Sequence, residues 1–99
     1  MRRTVCRLSE LPRHRGHVVE VPGGEAAIFR VDGDLHAIDN VCPHRGASLA
    51  FGDLKGSTVF CPLHAWGFDV RTGRCDEFPH ACVRAYRVHL EGEYVQLEL

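Results

Sequence analysis

Residues 42–69 read CPHRGASLAFGDLKGSTVFCPLHAWGFD. Within them Cys42-x-His44 is followed, after sixteen residues, by Cys61-x-x-His64. Each block offers one soft thiolate and one imidazole, a donor pair that suits zinc or an iron–sulfur centre rather than calcium or magnesium, which take oxygen ligands. Pro43 and Pro62 stiffen the two blocks, while Gly46 and Gly67 permit sharp turns, as loops carrying ligands require. A structural zinc clip usually spaces like ligands together, C-x2–4-C and H-x3–5-H, with the histidines on a helix. Here each pair is mixed and no helix is evident, so zinc is the weaker of the two readings.

Outward from this stretch the chain is ordinary. Its 99 residues imply one domain, 1–99, with 44% hydrophobic and 25% charged residues. Folding at this size buries somewhat over ~60% of the surface the unfolded chain exposes, so the core is thin. The formal net charge of −1 gives no electrostatic reason to expect nucleic acid or an anionic membrane as partner. Met1-Arg2-Arg3-Thr4 is not followed by an apolar run, and no stretch approaches the roughly 18 apolar residues of a membrane-spanning helix. The expected location is therefore cytoplasmic. Five cysteines, an odd number, argue against a closed disulfide framework and for metal binding by a patterned subset. Cys6, Cys75 and Cys82 lie outside the pattern and read as small buried hydrophobes or bystanders.

Apolar residues alternate or come in short runs such as AAIF at 26–29, and helical spacing with caps is not seen. Strands are expected at 4–8, 17–21, 26–31, 35–38, 58–60, 67–70, 84–90 and 94–99. DGD at 32–34, RTG at 71–73 and EGE at 91–93 put glycines where the chain must reverse. Many short strands at close spacing predict an all-β sandwich or small barrel. The C-terminal segment predicts a hairpin with Val88, Leu90, Val95, Leu97 and Leu99 on one face. Residues 40–69 read as a functional insertion on this β base.

C-x-H followed by C-P-x-H at this separation, with CPLHAWGFDVRTG at 61–73, resembles the Rieske [2Fe-2S] family. The resemblance implies an antiparallel β sandwich with a cluster-binding subdomain of two loops at one end. It implies that Cys42 and Cys61 hold one iron, and His44 and His64 the other. Replacing two thiolates by neutral imidazoles makes the oxidised centre less negative, so its potential lies above that of all-cysteine ferredoxins.

High-potential members of the family carry two further cysteines whose disulfide braces the loops, and those positions here are Ala47 and Leu63. Their hydrogen-bonding serine and tyrosine correspond to Trp66 and Phe68. The resemblance is therefore to the soluble, oxygenase-associated ferredoxins, with a potential near the low end of the Rieske range, roughly −150 mV or somewhat above. The expected function is one-electron transfer from a flavin-containing reductase to the terminal oxygenase of a multicomponent dioxygenase, the chain itself being no enzyme. The small subunit of NAD(P)H-dependent nitrite reductase is the alternative. Pro43, Arg45, Leu63, Ala65 and Trp66 are the candidate docking residues for small, transient interfaces. His14, His17, His36 and His89 read as ordinary histidines. His80, after Phe78-Pro79, is the one placed near the cluster by resemblance.

Overall fold

A computed structural model describes residues 1–43, 46–63 and 66–99. Among the described residues ten strands are formed: β1 (Arg2–Arg7), β2 (His17–Val21), β3 (Gly24–Val31), β4 (Asp34–Asp39), β5 (Asp53–Lys55), β6 (Thr58–Phe60), β7 (Gly67–Asp69), β8 (Ala85–Tyr86), β9 (Val88–Glu91) and β10 (Tyr94–Glu98). They make three antiparallel sheets, in the orders β1-β10-β9, β2-β3-β4-β8 and β5-β6-β7. The all-β expectation holds.

The central strand β3 explains the layering. Side chains of a strand alternate between faces, so four consecutive apolar residues that are all buried must be covered on both sides. Ala26, Ala27, Ile28 and Phe29 are all at most 1% exposed. Ala26 and Ile28 join Val95 and Leu97 of β10 in one core, while Ala27 and Phe29 join Val59, Phe68, Cys42 and Cys61 in the other. The four-stranded sheet is thus the middle layer, with the terminal strands on one face and the small sheet and both Cys/His segments on the other. Each fully buried Val, Leu, Ile or Phe side chain stabilises the fold by roughly 1.5–3 kcal/mol, and most of these side chains sit on the strands. The loops can therefore be spent on ligands.

Two expectations need correction. The strand predicted over 84–90 is two strands, because the chain crosses at Arg87 from the middle sheet, where β8 pairs with β4, to the outer sheet, where β9 pairs with β10. The crossing is pinned by the Glu98 N–H donating to the Arg87 carbonyl at 3.0 Å. Alternation alone cannot reveal such a change of sheet, since both sheets bury the same side. The predicted C-terminal hairpin forms, with Val95 facing Leu90 and Leu97 facing Val88. Leu90, however, lies at the tip and is 51% exposed, while Val95 and Leu97 are fully buried. Strand β5 was not foreseen: DLK carries too little apolar pattern to show itself, and its pairing with β6 is what makes it a strand.

Candidate metal centre

The first Cys/His segment leaves the end of β4 and returns in a 3-10 turn at Leu49–Phe51. Its base is Asn40, which is buried at 1% exposure. A buried amide is tolerated only when its polar atoms are paired. Asn40 Oδ1 accepts from the Ser48 hydroxyl at 3.0 Å and from the Ala50 N–H at 2.9 Å, and Nδ2 donates to Glu25 Oε1 at 3.1 Å. Its backbone N–H donates to the Glu25 carbonyl at 2.9 Å, and its carbonyl accepts the Leu49 N–H at 2.7 Å. One residue thus ties both ends of the loop to β3.

Inside that base the Cys42 N–H donates to the Ala47 carbonyl at 2.8 Å, and the Gly46 N–H to the Cys42 carbonyl at 2.8 Å. Gly46 takes a φ of +73°, a conformation that glycine adopts without steric cost. The predicted turn role of Gly46 is met. Gly67 differs: it is a strand residue of β7, and a Cβ there would lie 3.0 Å from Thr58 Cγ2 and 3.1 Å from the Phe60 ring. Space, not backbone freedom, explains that glycine.

The second segment runs from the end of β6 to the start of β7, whose ladder pairs Phe60 with Gly67. Here the Cys61 N–H donates to the Trp66 carbonyl at 2.8 Å. In both segments, then, the cysteine N–H closes the loop onto the carbonyl five residues on. The two closures are the structural counterpart of the doubled sequence. Cys42 and Cys61 are 0% and 2% exposed and belong to one apolar cluster with Leu49, Val59 and Phe68.

His44, Arg45, His64 and Ala65 lie outside the described residues, so two of the four expected ligands and two of the five docking candidates have no structural description. Among the described residues no three metal-ligating side chains converge. The residues present still fit a [2Fe-2S] group: two buried thiols share one apolar cluster, and each opens a loop of the same closure with a single imidazole in its sequence. All five cysteines are free, so the loops carry no disulfide. Ala47 and Leu63 stand where one would have been needed.

Of the other sequence candidates, Pro43 is exposed and Leu63 is 63% exposed. Trp66 is half-buried and packs against the apolar cluster. Its ring centroid lies 4.2 Å from that of Phe78, and His80 stands edge-on to Phe78 at 6.1 Å. His80 therefore reaches the site through two aromatic rings. Cys6 and Cys75 are buried as expected, and Cys82 is exposed. Burial, with a smaller contribution from the Glu10 charge, pushes the Cys6 thiol up to about 11, which keeps it protonated and inert.

Four contributing residues were missed from sequence. Asn40 and Glu77 act through hydrogen bonds that only the fold brings together. Phe78 enters the sequence reading only as the neighbour of His80, and Phe51 not at all, yet Phe51 is 64% exposed beside Pro62 and Leu63 in a shallow groove that reaches Cys61, with the Arg15 guanidinium 5.8 Å from its ring centre. Electrostatics fix the surroundings. Arg71 holds Asp69 at 3.0 and 3.1 Å through both oxygens, and that hydrogen bonding keeps the Asp69 carboxyl below its usual range. Tyr86 donates to Asp39 Oδ1 at 2.5 Å, just before the first loop. Burial first, then this bond to a carboxylate, pushes the phenol up to about 12.

The chain matches the Rieske [2Fe-2S] domain family over residues 2–87. It is 39% identical over 93 residues, covering 93% of this chain and 89% of the relative, to the ferredoxin component of the naphthalene 1,2-dioxygenase system of Pseudomonas aeruginosa. The ferredoxin in a complex of reduced oxygenase and oxidized ferredoxin of carbazole 1,9a-dioxygenase superposes with a TM-score of 0.85 at 28% identity, over 97% of this chain and 91% of that one. A Mycobacterium tuberculosis structure assigned as an NADH-dependent nitrite reductase small subunit superposes at 0.89 with 28% identity, over 98% and 93%. Naphthalene-type ferredoxin components and nitrite reductase small subunits are thus both relatives, as the resemblance implied. The chain belongs to the Rieske [2Fe-2S] domain family, and its cofactor is a Rieske-type [2Fe-2S] cluster.

Proposed function

We propose that this chain is the one-electron carrier of a multicomponent dioxygenase, taking electrons from a flavin-containing reductase and delivering them to a terminal oxygenase. The observation that carries the reading is the pair of equivalent cysteine-closed loops on a chain that aligns nearly end to end with a dioxygenase ferredoxin component. Cys42 and Cys61 would hold one iron and His44 and His64 the other. When bound, the cluster supplies a reversible one-electron couple, set above that of all-cysteine centres by its two neutral ligands. The chain's own residues bury the cysteine side, close each loop by a backbone hydrogen bond, and present an apolar face to the partner. They make and break no covalent bond in the partner's substrate, so the chain is a carrier and not an enzyme.

Pro43, Leu63 and Phe51, with Arg45, Ala65 and Trp66, form the proposed docking face. A small face of a few apolar side chains suits a contact that must dissociate after every electron. No helix among the described residues is long and apolar enough to cross a membrane, and we place the carrier in the cytoplasm. The nitrite reductase reading stays as the second, favoured by the superposition of that subunit at a TM-score of 0.89 against 0.85 for the carbazole dioxygenase ferredoxin. Stopped-flow mixing of the reduced protein with a naphthalene-type terminal oxygenase, against a nitrite reductase large subunit, tests the choice. Fast reoxidation by the oxygenase alone is expected, and reoxidation by the nitrite reductase alone would overturn it.

A further inference from the structure

With no disulfide available, something else must hold the second loop where it ends. The segment after the turn at 70–74 does so. It lies along the free edge of β7: Phe68 bridges to Cys75, the Asp76 N–H donates to the Gly67 carbonyl at 3.0 Å, and the Gly67 N–H donates to Glu77 Oε1 at 3.1 Å. Both backbone groups of Gly67 are thus taken by this arm, one of them by a carboxylate, which is a stronger acceptor than a carbonyl. The next residue, Phe78, lays its ring on Trp66 at 4.2 Å. Pro79 then starts a 3-10 turn that the Ala81 N–H closes onto the Phe78 carbonyl at 2.8 Å, so the arm is itself fixed. Behind Glu77, Cys75 is buried in the cysteine-containing cluster, with its Sγ 3.9 Å from Glu77 Oε1.

We infer that Glu77 and Phe78 are positioning residues for the second ligand loop: together they fix Trp66 and Gly67, and through the Cys61-to-Trp66 closure they fix Cys61, and with it the potential of the centre that it would ligate. The inference rests on the reading of Cys61 and His64 as ligands. Glu77 has two separable effects. Its oxygen holds the Gly67 N–H, and its negative charge disfavours the reduced, more negative state of the centre. Phe78 contributes only through packing.

The test compares Glu77→Ala, Glu77→Gln and Phe78→Ala with the unsubstituted protein by three readouts: iron loss to a chelator, the EPR line shape after reduction, and the midpoint potential. Glu77→Ala should lose iron about fivefold faster, the loss equivalent to one hydrogen bond, with a broadened EPR signal and a raised potential. Glu77→Gln keeps an acceptor and drops the charge. It should raise the potential likewise while holding iron nearly as well as the unsubstituted protein. Phe78→Ala should lose iron faster and broaden the signal. Unsubstituted protein with a Rieske signal, together with Ala variants that keep its iron-loss rate and line shape, would overturn the clamp alone. Unsubstituted protein with no such signal would overturn the ligand reading, and the clamp with it. Glu77 and Phe78 are exposed, so these variants keep the core, and the Gln variant provides the folded reference if an Ala variant does not accumulate.

Discussion

The two ligand loops have the same closure and opposite supports. The first rests on Asn40, a buried hub two residues before Cys42 that spans the loop's mouth with five hydrogen bonds. The second rests on an exposed arm, residues 76–80, that folds back from beyond β7 and grips Gly67 and Trp66 from outside. A buried hub resists solvent competition, and leaving any of its partners unpaired costs the full desolvation of that group. An exposed arm competes with water and can yield. The first loop should therefore be the rigid jaw of the site and the second the adjustable one.

The largest effect ignores this difference. Cys42→Ser and Cys61→Ser should each abolish cluster binding, read as loss of iron and visible colour in the purified protein. A variant retaining the full complement of iron would remove that cysteine from the ligand set. The hub comes next. Asn40→Ala orphans the buried Ala50 N–H and the Glu25 contact, costing about 2 kcal/mol, so the Tm should fall by about 10 °C. A Tm unchanged by Asn40→Ala would leave the first loop without the buttress assigned to it. The arm variants should shift the Tm less than Asn40→Ala and change cluster properties more than stability.

A smaller effect separates the jaws by pH. The neutral Tyr86 phenol is the form that bonds Asp39 beside the first loop, and its pKa is raised from the ordinary 10.0 to about 12. A raised pKa means stability fully present below about 10 and lost as pH climbs through about 12, the folded protein holding a proton that the unfolded chain gives up. Cys6 adds a similar alkaline loss between its ordinary 9.0 and about 11. Denaturant unfolding at neutral pH and near pH 11 should show weakening at the higher pH, and Tyr86→Phe should flatten part of that slope; an identical slope in the variant would detach Tyr86 from the first loop's support. The smallest effect concerns Cys82. Being exposed, it should react with a thiol reagent well before the four buried cysteines, with the visible spectrum unchanged. Early bleaching would show that a cluster cysteine is the more accessible.

What was legible follows from the range of each signal. Alternation and turn glycines located most strands, and the Cys/His spacing located the loops, because both are written in neighbouring residues. The break at Arg87 and the strand β5 depend on which sheet a segment joins, which is decided by distant partners. For the same reason Ser48, Asn40 and Ala50 lie close enough in sequence to suggest a turn, yet what makes Asn40 a hub includes its two hydrogen bonds to Glu25 of β3, fifteen residues away. Glu77 carries no sequence signal, and its exposure alone would suggest an ordinary surface charge. Its oxygen 3.1 Å from the Gly67 N–H is what gives it a role.

The most direct test of the central account is low-temperature EPR of the purified protein after reduction with dithionite, alongside its visible spectrum before and after. Two matched loops contributing one cysteine and one histidine each predict a red-brown protein that takes up one electron and gives a rhombic signal with average g below that of all-cysteine ferredoxins. A colourless protein carrying one zinc after anaerobic purification would contradict it, and the two loops would then be a structural clip.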